Sequence, residues 1–330
     1  FIFSKALNEI NETLKSLHVD LVEIKEEIRH NEQLFITTKE LKKGNENIKK
    51  QLEDELIQVS KQALIRKEDL FHIIDAIEEL KEVELNILKD VAKFCEINKI
   101  QYFLCGGTLL GAIRHKGFIP WDDDIDMVVS QKDFKRLCDY LKAHPHPHYM
   151  LQDNSTDRGF YKEWACLRDL RTENRSHETS ESENRRIHEA QKYRGLHVDI
   201  FPYEGNMIPW LQRFAAKLSV NVNLKMAGRY PRMAQTCYNV LHYGVFPVFR
   251  FIGKIFGNPD LYMHSYGAWF YEQNPKRIMV PHKDIVFEGY TFEGPADAEE
   301  LCRIAYGEFM NLPPRDKRDR HKVDVVFFDE

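Results

Sequence analysis

The hydrophobic positions of the N-terminal region follow a heptad pattern. Between Leu7 and Ile28, apolar residues recur at alternating spacings of three and four, and lysines and glutamates fill the other positions. A lone helix cannot bury such a narrow seam, so the pattern predicts a coiled-coil-like helical region over residues 1–66 that needs a partner. We favour a homo-oligomer formed through this helix. A helix over residues 48–63 that folds back, or a solvated spacer helix, is the alternative.

The pattern changes to mixed helices and strands after residue 66. A helix from Lys67 to Asn98 has one apolar face that is broad enough to cover a sheet. Thr108 is expected to cap a short helix that runs to His115, and Ser130 is expected to cap the helix that follows. Short apolar runs predict strands at Tyr102–Leu104, Ile125–Val129, Lys162–Leu170 and Gly195–Phe201.

The remaining chain is predicted to contain a polar loop and a second helical part. Residues 172–194 are almost wholly polar and are expected to form an exposed loop, and Pro202 is expected to end the strand that follows the loop. Residues 206–273 have a helical, aromatic and basic pattern, and one more helix is expected between Asp297 and Met310. We therefore divide the chain into residues 1–66, 67–205 and 206–330.

Length and composition narrow the class of protein. The chain has 330 residues, which fits two or three folding units, and its net charge of -5 argues against a nucleic-acid partner. The six cysteines are scattered without paired spacing, which predicts reduced thiols in a cytoplasmic protein. We see no secretory signal in the sequence, and no apolar stretch reaches the ~18 residues of a membrane-spanning helix.

Paired carboxylates supply the first candidate chemistry. Asp124 and Asp126 are two residues apart at a predicted strand, so they face the same side, and they repel each other unless a cation lies between them. Oxygen ligands of this kind suit Mg²⁺ or Mn²⁺. Asp199 lies among apolar strand residues and is a third candidate ligand, which would complete the ligand set of a two-metal phosphoryl transfer. A solvated acidic loop and a salt-bridged core aspartate are the alternatives.

A glycine pair beside these carboxylates supplies a phosphate-binding element. Gly106 and Gly107 let the backbone approach a ligand, and the helix that starts around Thr108 points its N–H groups at an anion. Arg114 has a planar guanidinium that pairs well with phosphates. An ordinary turn and a surface charge are the alternatives for these residues. Because the apolar run follows the Asp-Ile-Asp segment, the order is that of a nucleotidyltransferase.

The stretch from Tyr102 to Met127 closely resembles the core motif of the LicD family, which includes the fukutin-related transferases. The resemblance extends over residues 75–321, and Cys105 departs from it where the family often has a polar residue. Further segments are similar to family motifs in the same order, namely Arg168–Thr172, Val198–Pro202, Phe287–Gly289, Tyr306–Met310 and Leu312–Pro314.

The resemblance implies an α+β fold with a nucleotidyltransferase-like mixed β-sheet flanked by helices. Residues 67–205 would form its catalytic core, and residues 206–330 would complete the domain. It also implies transfer of an alcohol phosphate, with phosphocholine as the best-known case, from a CDP-alcohol such as CDP-choline to a sugar of a surface glycan. Such glycans include lipopolysaccharide and teichoic acid, and CMP is released.

The resemblance also implies roles for individual residues. Asp124, Asp126 and Asp199 would hold the metal ions, with Asp122 as an outer or second-shell ligand. Asp199 would orient or deprotonate the acceptor hydroxyl. Arg114 would steady the phosphates, and Arg168 would assist. Glu288 is a weaker candidate, because a turn role explains it equally well.

One segment suggests a further partner. Residues 205–259 contain seven lysines and arginines and no acidic residue, with aromatic residues among them. This composition fits an anionic membrane surface, and a peripheral position on the inner face of the membrane. It equally fits a lipid-linked glycan acceptor or a phosphate groove, and a packed subdomain with solvated charges is the remaining alternative.

Two other functions stay open at the level of sequence. The first is a nucleotidyltransferase that moves NMP from an NTP to a sugar or small molecule. The second is a catalytically silent scaffold that assembles partners through the heptad helix, which the intact Asp124, Asp126 and Asp199 argue against.

Overall fold

A computed structural model describes residues 57–58, 78–122, 124–175, 182–314 and 325–328 of the chain. The predicted coiled coil and its self-association therefore lie outside the described residues, apart from a helical residue pair at 57–58. By compactness the chain divides into Phe1–Glu79 and Leu80–Glu330, and the second unit contains the sheet described below.

The helices are mostly short. The first described helix, α1, covers residues 78–97 and belongs to the predicted helix Lys67–Asn98. The other α-helices are α2 Gly106–Arg114, α3 Gln131–Ala143, α4 Ser182–Glu189, α5 Pro209–Val220, α6 Pro231–Val240, α7 Phe246–Phe256, α8 Lys276–Met279 and α9 Ala298–Tyr306. Two π-helical segments, π1 Asn221–Met226 and π2 Leu241–Val245, join α5 to α6 and α6 to α7 in sequence.

The strands form one mixed sheet and two small pairs. Their bounds are β1 Tyr102–Leu104, β2 Ile125–Ser130, β3 Tyr149–Gln152, β4 Ala165–Asp169, β5 Thr172–Asn174, β6 His197–Glu204, β7 Leu261–His264, β8 Asn274–Pro275, β9 Lys283–Phe287, β10 Tyr290–Gly294 and β11 Val325–Phe327. The sheet has the order β1-β2-β6-β4-β3, and β7 pairs with both β6 and β8. Strands β2 and β6 are parallel and the other pairs are antiparallel. The predicted mixed sheet flanked by helices is confirmed.

Hydrophobic residues cover both faces of the sheet. On one face, Ile87 and Val91 of α1 pack with Met127 and Ile200 of the central strands, as the apolar face of this helix predicts. On the other face, Val128 and the strand residues on the same side pack with residues of α2, with several tryptophans and with residues of the C-terminal helices. Because residues alternate along a strand, Asp126 shares this second face with Val128.

Several predicted element boundaries are wrong. Residues 172–194 are not simply an exposed loop, because Thr172 begins β5, Ile187 of α4 is buried, and β5 pairs with β11. Strand β6 does not end at Pro202 but continues to Glu204. Pro202 is tolerated there because β4 pairs with β6 only as far as Ile200, while β7 pairs from Tyr203 onward.

Of the two predicted helix caps, one is confirmed and one is wrong. The hydroxyl of Ser130 accepts a hydrogen bond from the Asp133 N–H and caps α3, as predicted. The N-cap of α2 is instead Cys105, which makes no side-chain cap hydrogen bond. The glycine pair enters the helix itself, so the helix begins two residues before Thr108.

The C-terminal part is mainly helical, and the strand pair β7 and β8 interrupts the helices. Helices α5, α6 and α7 and both π-helical segments occupy residues 209–256, as the periodicity predicts. Residues 261–264 form β7 within the region predicted to be helical, because this segment completes the edge of the sheet beside β6. None of the helices in the described ranges has the combination of length and hydropathy that crossing a bilayer requires.

His264, the last residue of β7, makes the stability of the fold depend on pH. The His264 ring contacts Phe201 and Phe270, and burial lowers its pKa to about 4. An unfolded chain protonates this histidine near pH ~6.5, so acidification below that value favours the unfolded state down to the folded pKa.

We therefore expect His264→Phe to reduce the loss of unfolding free energy between pH 7 and pH 5 by roughly 1–2 kcal/mol. Urea unfolding at several pH values measures this loss. His144→Phe, at an exposed position at the end of α3, is the control. An unchanged pH dependence in His264→Phe would contradict the assignment.

Candidate functional site

The centre of the candidate site is the pairing of the two parallel strands β2 and β6. Asp126 and Asp199 are register partners across this pair, and Asp124 lies at the entrance to β2, two residues before Asp126. Asp199 is buried, whereas Asp124 and Asp126 are half-buried. The structure therefore brings Asp126 and Asp199 side by side and keeps Asp124 just before the start of β2.

The glycine pair packs directly on two of the aspartates. A Cβ atom at Gly106 would overlap the Asp126 carboxylate, and one at Gly107 would overlap the Asp122 carboxylate. Gly106 also has a φ of +56°, which favours glycine. The Cys105 N–H donates to the Asp126 carbonyl oxygen at 3.1 Å, which anchors the turn to β2. The glycines are thus required by close approach to carboxylates.

Thr108 has a role that differs from capping. Its Oγ1 accepts a hydrogen bond from the Asp126 N–H at 2.8 Å. Residue 108 is buried and lies in the first turn of α2. The hydroxyl therefore fixes the backbone that carries Asp126 relative to the glycine turn.

Asp199 is held by a polar cluster on the same face of the sheet. The Cys166 Sγ donates to Asp199 Oδ1 at 2.6 Å, and His197 Nε2 lies 3.5 Å from the same oxygen. Burial alone would raise the pKa of Asp199, but His197, Lys162, Cys166 and Arg168 together hold that pKa below its usual value. Asp199 is therefore a charged carboxylate at neutral pH.

The cysteine of this cluster is a thiol that serves as a donor. Burial first, and then the Asp199 charge, raise the pKa of Cys166 well above its usual range. In the described part of the chain, Cys166, His197 and Asp199 are the residues whose potential metal-binding atoms all lie within 4.8 Å of one another. Because the thiol donates to Asp199, we interpret the group as a support for that carboxylate.

The two predicted arginines have well-defined hydrogen bonds to other acceptors. Arg114 donates to the Phe309 carbonyl oxygen at 2.7 Å, and its guanidinium lies 5.9 Å from the Trp121 ring centroid. Arg168 is buried and donates to Gln152 Oε1 at 2.7 Å and to the Gly195 carbonyl oxygen at 2.8 Å. Their phosphate-binding roles stay predictions. The contact of Arg114 joins α2 to the segment that follows α9, and the contact of Arg168 joins β4 to the segment just before β6.

The turn role of Glu288 has a direct basis in the contacts of its carboxylate. Its Oε1 accepts a hydrogen bond from the Phe118 N–H at 2.9 Å, and its N–H donates to the Lys116 carbonyl oxygen at 2.9 Å. Glu288 therefore links the β9–β10 turn to the loop that follows α2.

Sequence reasoning missed Cys166 and three further residues near the carboxylates. Tyr306 is 45% exposed, and partial burial of its phenol first, and then Asp126, Cys105 and Asp122, raise its pKa. Lys162 is close enough to Asp199 to influence the pKa of that carboxylate, and His197 contacts it. The alternation of β6 could have indicated His197, two residues before Asp199, whereas Tyr306 and Lys162 depend on long-range packing.

Parts of the chain are similar to known proteins. Residues 99–218 match the family model described as the LicD/FKTN/FKRP nucleotidyltransferase domain. The chain is 28% identical over 265 residues to the lipopolysaccharide cholinephosphotransferase LicD of Haemophilus influenzae, which covers 74% of this chain and 94% of that protein. It is also 36% identical over 63 residues to human ribitol 5-phosphate transferase FKRP, which covers 18% of this chain and 12% of that protein.

Residues 99–218 are thus similar to a nucleotidyltransferase domain. With these relatives, the chain carries a LicD-family domain and is a LicD-like phosphotransferase.

The close packing of Gly106 on Asp126 makes a prediction about stability. Gly106→Ala should lower the free energy of unfolding by roughly 1–3 kcal/mol more than Gly289→Ala, because overpacking adds to the backbone strain. Gly289 is the matched control, since its φ is also positive, at +77°, but no atom lies within 4 Å of the point that a Cβ would occupy there. Urea unfolding of the two variants measures the difference, and equal losses would contradict the contact with Asp126.

Proposed function

We propose that the protein transfers an alcohol phosphate from a CDP-alcohol to a sugar of a cell-surface glycan and releases CMP. In this reaction the acceptor hydroxyl oxygen forms a bond to the distal phosphorus, and the bond between that phosphorus and the CMP oxygen breaks. The observation that carries the proposal is the register pairing of Asp126 with Asp199 beside a glycine turn that packs on the carboxylates. The relatives support the class of reaction, because one is named a cholinephosphotransferase and another a ribitol 5-phosphate transferase.

Asp199 is proposed to orient the acceptor hydroxyl. Its lowered pKa keeps it negatively charged, so it accepts a hydrogen bond from the hydroxyl and takes up the proton as the new bond forms. The Cys166 thiol occupies one side of this carboxylate and limits its rotation. Cys166 and His197 are therefore positioning residues for Asp199.

The donor phosphates are proposed to lie at the Asp126 side of the site. The turn at Gly106 and Gly107 approaches the aspartates closely, and the N–H groups at the start of α2 favour an anion there. Arg114 and Arg168 are proposed to contribute positive charge. Burial and then the same acidic group raise the pKa of the Tyr306 phenol, which is a candidate hydrogen-bond donor to a bound phosphate.

The carboxylates fit Mg²⁺ or Mn²⁺. The charged Asp199 and its register partner Asp126 offer hard oxygen ligands on one face of the sheet, and we propose that Asp124 completes the set with Asp122 outside it. Such an ion, when bound, neutralises phosphate charge and favours departure of CMP. The aspartates would bind and orient it, and the buried cluster around Asp199 would keep that ligand charged.

An anionic membrane surface is proposed as a further partner. The helix α7 exposes the apolar side chains of Val248, Phe251 and Ile255, whose spacing of three and four residues forms one stripe facing solvent. Phe251 is 64% and Ile255 is 56% exposed. The helical part around this stripe contains cations and no acidic residue between positions 205 and 259. This combination suits a helix that lies in the plane of a membrane interface.

A neighbouring helix exposes two more aromatic side chains. Trp210 and Phe214 of α5 are 69% and 50% exposed, and the Phe214 ring lies 6.3 Å from the ring of Phe249 on α7. We propose a cytoplasmic protein that docks peripherally through this surface, where a lipid-linked glycan acceptor would be available. Self-association through the N-terminal heptads remains part of the same proposal.

The reaction is tested by incubating the protein with CDP-choline, CDP-ribitol, CDP-glycerol or CTP, with and without Mg²⁺, and measuring CMP and pyrophosphate. We expect Mg²⁺-dependent CMP release from one CDP-alcohol. Asp126→Asn and Asp199→Asn should each lower the rate by about 100-fold or more, because each removes a charge that acts on the transferring phosphate. Asp139→Asn, on the exposed side of α3, is the control.

Pyrophosphate release from CTP would instead identify a nucleotidyltransferase. Full activity in both site variants would exclude the role proposed for these carboxylates.

Membrane docking is tested by sedimentation with phosphatidylglycerol vesicles and with neutral phosphatidylcholine vesicles. We expect binding to the anionic vesicles, and about tenfold weaker binding for Phe251→Ser/Ile255→Ser, because two apolar side chains no longer enter the interface. Val286→Ser/Ile304→Ser removes comparable exposed apolar residues from elsewhere and is the control. Binding that does not distinguish the two double variants would refute this docking surface.

A further inference from the structure

A cavity of about 590 Å³ lies in the C-terminal part, outside the aspartate site. Helix α5 and the segment π1 form one wall, which contributes Arg213, Lys217 and Lys225. Trp269 and Tyr271 form the opposite, aromatic wall. We call this space the basic cavity, and its volume is within the range of small-molecule sites.

The cations of the basic cavity have no salt-bridge partner in the part of the chain that the structure describes. Among the described residues, no carboxylate forms a salt bridge with Arg213, Lys217 or Lys225, whereas Arg250 in the same part of the chain pairs with Glu204. Arg213 and Lys217 are four residues apart on α5, so their charges repel each other across one turn. The Arg213 guanidinium lies 5.5 Å from the Tyr271 ring centroid. An anion in the cavity would relieve this repulsion.

Aromatic contacts connect the basic cavity to Asp199. The Trp269 ring lies 5.2 Å from the Trp164 ring, and the Lys162 Nζ lies 4.7 Å from the Trp164 centroid and 6.0 Å from the Trp269 centroid. Lys162 in turn helps to hold the pKa of Asp199 below its usual value. Lys162 therefore contacts the aromatic wall and also influences the carboxylate proposed to orient the acceptor.

Trp269 and Tyr271 give the cavity an aromatic lining. Aromatic faces suit a ring that is apolar on one face and carries hydroxyl groups at its edge, which describes a sugar.

We propose that the basic cavity binds an anionic saccharide, which is the part of the acceptor next to the reacting sugar. The sugar ring would pack on Trp269 and Tyr271, and a phosphate or carboxylate substituent would contact Lys217, Lys225 and Arg213. This inference rests on the proposed transferase function and names the chemistry of its acceptor. The donor phosphates are proposed to lie at the Asp126 side, whereas the aromatic contacts of the cavity lead toward Lys162 and Asp199, which favours the cavity as the acceptor subsite.

Binding of glucose 6-phosphate, glucose and inorganic phosphate, measured by calorimetry at low ionic strength, tests the proposal. The wild-type protein should bind glucose 6-phosphate more tightly than either of the other two. Lys217→Ala/Lys225→Ala should weaken this binding about tenfold or more, because two charge-assisted contacts to the phosphate are lost. Arg232→Ala/Lys254→Ala, which removes two exposed cations outside the cavity lining, should bind like the wild type.

Three results would overturn the proposal. One is equal binding by the cavity variant and the wild type. Another is binding of inorganic phosphate as tight as that of glucose 6-phosphate, which would mean an anion site without recognition of the sugar. The third is competition by CMP for the same site, which would assign the cavity to the donor nucleotide.

The proposed reaction is measured separately by CMP release. If no CDP-alcohol yields CMP while glucose 6-phosphate still binds through Lys217 and Lys225, the reaction is wrong and the anionic saccharide site stands. If CMP release is normal and the cavity variant binds normally, the reaction stands and the acceptor subsite is wrong.

Discussion

The parallel pairing of β2 with β6 is the contact on which the candidate site depends. It sets Asp126 opposite Asp199, and the hydrogen bond from the Asp126 N–H to Thr108 connects the same pair to the glycine turn. Apolar side chains on the opposite face of both strands are buried against α1, so a slip of one residue in either strand would turn the carboxylate of that strand into the core. The hydrophobic packing of one face therefore fixes the chemistry of the other.

The local part of this arrangement could be predicted from the sequence. Alternation along β2 indicated that Asp126 faces away from Met127, and the glycine pair indicated a close approach of the backbone to a ligand or side chain. The contact between Cys166 and Asp199 could not be predicted in this way. Cys166 reaches Asp199 only because β4 pairs with β6 in a particular register, and the sequence between these strands does not specify that register.

The boundary errors have physical causes of the same kind. Pro202 ends a strand when a partner needs its N–H, but here one neighbouring strand has ended before this position and the next begins after it. The polar segment 172–194 lacks a hydrophobic pattern, yet Thr172 is buried because its Oγ1 accepts the Leu196 N–H at 3.0 Å. Sequence propensity describes isolated segments, whereas the continuation of β6 through Pro202 and the burial of Thr172 depend on neighbouring parts of the fold.

The change of neighbours along β6 has a geometric consequence for substrate choice. Asp199 lies in the part of the strand that pairs with β4, and Tyr203, about 13 Å further along, pairs with β7. The chain leaves β7 directly into the segment that carries Trp269. The aromatic wall of the basic cavity therefore follows, in the chain, a strand that pairs with β6 beyond the proposed acceptor-orienting carboxylate. A fixed separation between the two would select acceptors by the length between their charged group and their reacting hydroxyl.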